Sequence, residues 1–275
     1  MSRGEISDLP HALAVQGDLK DDLEQRLEGK TPAVFLDYDG TLTPIVDRPE
    51  DATISESMRG AVSGLAERCP VCVVSGRDRP VVQELMGLDN LIVAGSHGFD
   101  IWSPDEGLIE HDAGSGYEEL LEEVKARLSE EVGSIEGASV EPKKASVAVH
   151  YRLVSEEDQE RIKQTVDSIL ADYPEDLKMT PGKMVYEIQP KLDWDKGKAV
   201  LYLLDTLELD RDDVVPMYLG DDHTDEHAFE ALEGRGVGVF VGYAADPEVA
   251  GRDTSADYLL YSVEEVEAFL DRLAR

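Results

Sequence analysis

Short apolar runs alternate with helix-period segments over the first and last thirds of the chain. Residues 33–36, 71–74 and 91–95 are nearly unbroken apolar stretches, and 55–67 and 79–86 between them carry helical spacing. Beyond Pro190 the alternation returns, with helices at 198–207 and 225–232, strands at 214–219 and 236–241, a short strand at 258–260 and a closing helix at 264–273. Strands that are apolar on both faces and separated by helices predict a parallel sheet covered on both sides, an α/β, Rossmann-like core. Ahead of the first strand, 11–27 reads as a polar, weakly amphipathic helix, which makes 1–30 a helical extension.

The middle of the chain has another rhythm. Residues 117–130 form an acidic helical segment, 146–153 alternate as a half-exposed strand does, 156–172 are helical again, and 184–189 alternate once more. Two helices beside alternating strands predict a small α+β layer, so 111–189 is expected to be a domain inserted into a core made of 1–110 and 190–275. No internal repeat or low-complexity tract interrupts this plan.

Composition narrows the function. The chain has 275 residues, with 60 acidic against 26 basic side chains and a net charge of −34. Such a surface repels nucleic-acid phosphates and anionic membranes, so neither is an expected partner. The same excess reads as adaptation to high salt, where screening relieves self-repulsion. An apolar content of 41% with clear periodicity argues for a folded chain rather than an acidic disordered one. Cys69 and Cys72 form a lone Cys-x-x-Cys at the entry to an apolar run, and core packing is the expected role. Residues 1–30 contain no apolar stretch suited to a signal peptide or a membrane span, so a soluble, cytoplasmic protein is expected.

In an open parallel sheet, ligands gather beyond the carboxyl ends of the strands. The first strand leads into Asp37-Tyr38-Asp39-Gly40-Thr41, where two carboxylates two residues apart on one side of an extended segment must share a cation or a proton. The second leads into Ser75-Gly76-Arg77, a hydroxyl and a turn suited to a phosphoryl oxygen. A later strand leads into Gly220-Asp221-Asp222-His223-Thr224-Asp225-Glu226, which adds hard oxygen donors and completes a site for Mg2+. Lys196, in Asp195-Lys196-Gly197-Lys198 at a helix start, offers a cation to a phosphate. In a chain so poor in basic residues, Lys143, Lys144, Arg152 and Lys183 fall near the alternating strands, with Glu141 and Glu187 as acceptors for hydroxyls. His97 and His223 lack the helical spacing of a zinc site; His97-Gly98 reads as a turn at the pocket edge.

These motifs, in this order, resemble the haloacid dehalogenase (HAD) superfamily of phosphatases over nearly the whole chain. Within it, Glu141-Pro-Lys143, Ser146, His150-Tyr151-Arg152 and Gly182-Lys183-Met-Val-Tyr-Glu187 are similar to the cap of the trehalose-6-phosphate phosphatases. The resemblance implies that Asp37 is a nucleophile that becomes phosphorylated and that Asp39 is the general acid and base. It implies that Ser75 and Lys196 stabilise the transferring group, and that Mg2+ is held by Asp37, the Asp39 carbonyl and Asp221. Asp222 and Asp225 stand close by, and spacing leaves open which acid of that loop touches the metal. Gly76, Arg77, His97, Glu141, Lys143, Arg152, Lys183 and Glu187 are the expected substrate-binding residues, and the middle domain is expected to close over the site and exclude water. The expected partner is a small-molecule phosphosugar, for which a monomer suffices. Competing readings keep the chemistry and change the sugar, to sucrose phosphate, glucosylglycerol phosphate or mannosyl phosphoglycerate. Others are a phosphomutase and a non-catalytic phosphosugar sensor, the last of which needs neither Asp37 nor Asp39.

Overall fold

The computed structural model describes residues 4–14, 18–109, 116–182, 184–247 and 249–275. The chain divides into two compact units, one made of Met1–Ile109 with Asp195–Arg275 and the other of Glu110–Trp194.

The first unit is built on an eight-stranded sheet in the order Tyr258–Leu260, Val237–Val241, Val214–Gly220, Thr31–Leu36, Val71–Val74, Ile92–Gly95, Asp100–Ser103, Gly107–Ile109. The first six strands pair in parallel. The apolar runs are continuous because each strand is buried on both faces. Val34 and Leu36 point into one core with Met58, Val62 and Leu65 of the helix Glu56–Ala66 and Val266, Phe269 and Leu270 of Val263–Leu273. Ala33 and Phe35 point into the other, with Val200, Leu203 and Leu204 of Lys196–Thr206 and Phe229 and Leu232 of Glu226–Leu232. Burial of this kind contributes about 25 cal/mol per Å2 of apolar surface and is the main force holding the layers together. Cys69 and Cys72 are free and buried, and burial pushes the Cys69 thiol up to about 11, which suits packing rather than chemistry.

Two features of this unit differ from the sequence expectation. The last two sheet strands form an antiparallel extension, Asp100–Ser103 on Ile92–Gly95 and then Gly107–Ile109, in segments too short to show a period. Among the described residues the N-terminal helix covers Asp18–Leu27, and 11–14, expected in it, are not helical. Gly4–Glu5 instead pairs with Asp253–Thr254, Ile6 is buried, and His11 bridges to Leu259. Pro10 has no N–H to offer a helix, and its carbonyl accepts a hydrogen bond from Leu259 N–H at 2.9 Å, so this stretch is a stitch to the sheet edge.

The second unit is a four-stranded antiparallel sheet in the order Ser139–Pro142, Val147–His150, Val185–Pro190, Leu177–Gly182. Helices Glu118–Val132 and Glu156–Asp172 share one core with it, drawn from Val124, Leu128, Val147, Val149, Ile162, Val166 and Ile188. The two inner strands are the ones whose alternation is visible in the sequence. Both edge strands carry a proline, Pro142 and Pro181, which hides them from a pattern reading and suits an unpaired edge. The return to the first unit comes at Asp195 rather than at 190. Lys191 N–H donates to Asp176 O at 2.7 Å, which keeps 191–194 with the second unit.

No helix of the described residues is long and apolar enough to cross a membrane.

Candidate active site

Thr31–Leu36 lies between Val214–Gly220 and Val71–Val74, and the chain winds away from it in opposite directions on its two sides. This is a topological switch point, where the loops beyond the strand ends diverge and leave a crevice. Asp37, Ser75 and Asp221 each directly follow one of these three strands.

Asp37 and Lys196 are both buried, and Lys196 Nζ donates to Asp37 Oδ1 at 2.9 Å and to Asp225 Oδ1 at 2.7 Å. Lys196 reaches this position because Asp195 caps its helix, accepting from Lys198 N–H at 2.9 Å. Gly197 is required beside it, since a Cβ there would overlap the His227 carbonyl. Asp225 is saturated: besides Lys196 it accepts from Tyr218 OH at 2.6 Å and from the Asp221 and Asp222 N–H groups at 2.9 and 2.8 Å. Burial alone would raise the Asp225 carboxyl, but Lys196 and Tyr218 outweigh it and hold it below the usual carboxylate range. Asp37 goes the other way. Burial pushes it well above that range, Lys196 pulls it back, and Asp225 and Asp221 push it up further. Burial depresses Lys196, yet Asp225 and Asp37 more than compensate and keep it cationic.

Among the described residues, the side chains of the first motif's paired acids take different hydrogen-bond donors, Lys196 for Asp37 and Arg77 for Asp39. The chain bends as it leaves the strand, so the alternation that would place Asp37 and Asp39 on one side ends there. Arg77 grips both Asp39 oxygens, through Nε and Nη2 at 2.7 Å each, and is itself anchored by Pro49 O at 2.8 Å. Ser75 is buried, and its Oγ accepts from Arg77 N–H at 3.1 Å. His97 N–H donates to Ser75 O at 2.8 Å and Ser96 N–H to Arg77 O at 2.7 Å, which clips the Ser75 loop to the next one. Ser96 and His97 both hold positive φ, 48° and 56°, and the His97 ring lies over Gly76, where a Cβ would sit 2.8 Å from it. The Ser75 and His97 loops therefore form one interlocked element.

Asp37, Asp221 and Asp225 each bring a carboxylate oxygen to within 4.8 Å of one another. Gly40, at φ 84°, is required there because any Cβ would overlap the Asp221 carboxylate. Asp222 is more exposed and its Oδ1 accepts from His223 N–H at 2.6 Å. Thr41 Oγ1 is buried without a hydrogen-bond partner among the described residues. Three carboxylates around one ammonium leave uncompensated negative charge, and all the donors are hard oxygens, which fits a small dication.

In the second unit, Glu187 is buried and accepts from Ser146 Oγ at 2.5 Å and Lys143 Nζ at 3.1 Å. Glu141 Oε2 meets His150 Nε2 at 2.6 Å. Glu141 and Glu187 both lie opposite Ala148 in register, so they share one face of the sheet with His150, two residues along that strand. Arg152 follows in the turn after Val147–His150, and Lys183 lies outside the described residues. Sequence reasoning missed Tyr218. It sits inside an apolar strand run, where nothing distinguishes it from a core residue until Asp225 is seen against its hydroxyl.

The sequence model of the trehalose-phosphatase family matches residues 35–264. A probable trehalose-phosphate phosphatase D from Arabidopsis thaliana is 41% identical over 263 residues, covering 92% of this chain and 70% of that protein. Trehalose 6-phosphate phosphatase RA3 from Zea mays is 42% identical over 260 residues, covering 90% and 71%. The C-terminal domain of trehalose-6-phosphate phosphatase from C. albicans has the same fold, with a TM-score of 0.76, 23% identity and coverage of 97% and 98%.

Proposed function

The chain belongs to the trehalose-phosphatase family, and we propose that it hydrolyses trehalose 6-phosphate to trehalose and inorganic phosphate, with Asp37 as nucleophile and Mg2+ as cofactor. The observation that carries this reading is the buried Asp37–Lys196 pair beside Asp221 at the tip of the central strand. In the first step an Asp37 oxygen forms a bond to phosphorus, the bond from phosphorus to the sugar oxygen breaks, and Asp39 gives that oxygen a proton. In the second, Asp39 takes a proton from water, the water oxygen bonds to phosphorus, and Asp37 leaves as a carboxylate. Arg77 takes one lone pair on each Asp39 oxygen and so fixes the carboxyl's orientation, and the proton is carried on one of the remaining lone pairs. Ser75 and Lys196 supply donors to the equatorial oxygens.

The site's chemistry fits Mg2+, which Asp37, the Asp39 carbonyl and Asp221 would hold and whose charge lets a carboxylate approach a phosphate ester. Asp225 is assigned other work, since its oxygens already hold the loop and Lys196, and Asp222 stands beside the site as a further oxygen donor. The second unit recognises the sugar, with Lys143, Glu187, Glu141 and Arg152 as hydrogen-bonding groups and Lys183 included on its place in the motif. Gly76 and His97 shape the phosphate loop. The protein acts in the cytoplasm, with which its free thiols accord.

Phosphate release from trehalose 6-phosphate, with Mg2+ and with chelator, tests the proposal. Wild type should turn over only with the metal, and Asp37→Asn should be silent under both conditions. Appreciable turnover by that variant would remove Asp37 from its role. Release from sucrose phosphate in preference to trehalose 6-phosphate would overturn the substrate assignment.

A further inference from the structure

Tyr218 is fully buried in the strand Val214–Gly220, its ring edge-on to Phe229 with centroids 5.7 Å apart in an otherwise apolar cluster. Its one polar atom is aimed at Asp225 Oδ1, 2.6 Å away, the oxygen that also accepts from Lys196. A phenylalanine would fill the ring's space, so packing alone does not call for the hydroxyl. We propose that Tyr218 is a positioning residue that governs how Lys196 divides between Asp225 and Asp37.

The argument runs through shared charge. Asp225 is fully buried with four donors on its two oxygens, and the buried Lys196 ammonium bridges it to Asp37. Hydrogen bonds to a buried carboxylate draw off part of its charge, so the Tyr218 hydroxyl weakens the hold of Asp225 on Lys196. Without it, Asp225 Oδ1 keeps Lys196 as its remaining donor and draws the ammonium toward itself. Asp37 and any transferring phosphoryl group then lose part of the cation's field, while the sugar-recognising groups of the second unit are untouched. The loss therefore falls on turnover and not on substrate binding. This inference rests on the proposed role of Asp37 and Lys196.

Steady-state kinetics on two substrates, trehalose 6-phosphate and p-nitrophenyl phosphate, test it and keep the two readings apart. Wild-type turnover of trehalose 6-phosphate tests the substrate assignment; the positioning role is read on either substrate. Tyr218→Phe should lower kcat about tenfold on both, the loss of one hydrogen bond to a charged group, with KM within about twofold of wild type. A fluorotyrosine at 218, which keeps ring and hydroxyl, should restore kcat, and kcat is referred to the fraction folded by near-ultraviolet circular dichroism. The double variant with Asp225→Asn should be no slower than Asp225→Asn alone, because both act through one carboxylate. A kcat within about twofold of wild type, a loss that appears in KM, or losses that multiply in the double variant would each overturn the proposal.

Discussion

Replacing Asp37 by Asn should abolish turnover and at the same time stabilise the metal-free protein. Asp37 is 5% exposed and shares its surroundings with Asp225 and Asp221, and Lys196 is the ammonium that offsets them. Its carboxyl lies well above the ordinary range, so in the folded state the ionised form carries a cost. Asparagine removes that charge and still accepts from Lys196 through its carbonyl. Relief of a strained site of this sort is worth about 1–2 kcal/mol, and for a chain of this size each 1 kcal/mol moves Tm by about 2–4 °C. The sign is set by linkage. A raised carboxyl destabilises the fold progressively as pH climbs from the unfolded value, about 4, through the folded one. The variant's advantage should therefore grow as pH rises above about 4 and vanish below it. Differential scanning calorimetry in chelator is the assay. Adding Mg2+ to about tenfold over its Kd should then raise the wild type by about 1.4 kcal/mol and the variant by much less, closing or reversing the gap. If Asp37→Asn melts at or below wild type in chelator at pH 8, the account of a buried, under-compensated carboxylate is wrong.

The other consequences are more direct. Gly40→Ala should cost at least about a hundredfold in kcat, because its Cβ would displace the Asp221 carboxylate and its φ of 84° strains any L side chain; stopped phosphate release reads it. Glu187→Gln leaves the buried Lys143 and Ser146 donors mismatched and should raise KM for trehalose 6-phosphate about tenfold, with p-nitrophenyl phosphate hydrolysis unchanged. A net charge of −34 predicts that Tm rises by on the order of 5 °C between about 0.1 M and 2 M KCl; a fall would refute the reading of that charge as adaptation to salt.

What the sequence made legible follows from burial. Strands covered on both faces, such as Val71–Val74, Val214–Gly220 and Val237–Val241, announce themselves as apolar runs, and the acids at their ends stand out against them. The edges do not: Gly107–Ile109, Ser139–Pro142 and Leu177–Gly182 are short, half exposed or interrupted by proline. Among candidate site residues, motif spacing singled out Asp37, Ser75, Lys196 and Asp221, each at a strand end or helix start. It could not show that Asp39 turns to Arg77, that Asp225 is filled by four donors, or that Tyr218 is one of them, since those are facts of three-dimensional aim. Nor did it show that 4–14 is sewn to the far edge of the sheet, because a two-residue ladder leaves no period.

The discontinuous first unit bears on how the protein is made. During synthesis Thr31–Leu36 can zip only to Val71–Val74, and its other ladder stays bare until Val214–Gly220 leaves the ribosome, after the whole 110–194 insertion. Nascent chains will thus spend seconds with an open, largely apolar β-edge at the heart of the future sheet, a template for mispairing. The insertion, whose ladders all lie within itself, can condense meanwhile and bring the two halves of the core closer together, shortening the loop that the last pairing must close.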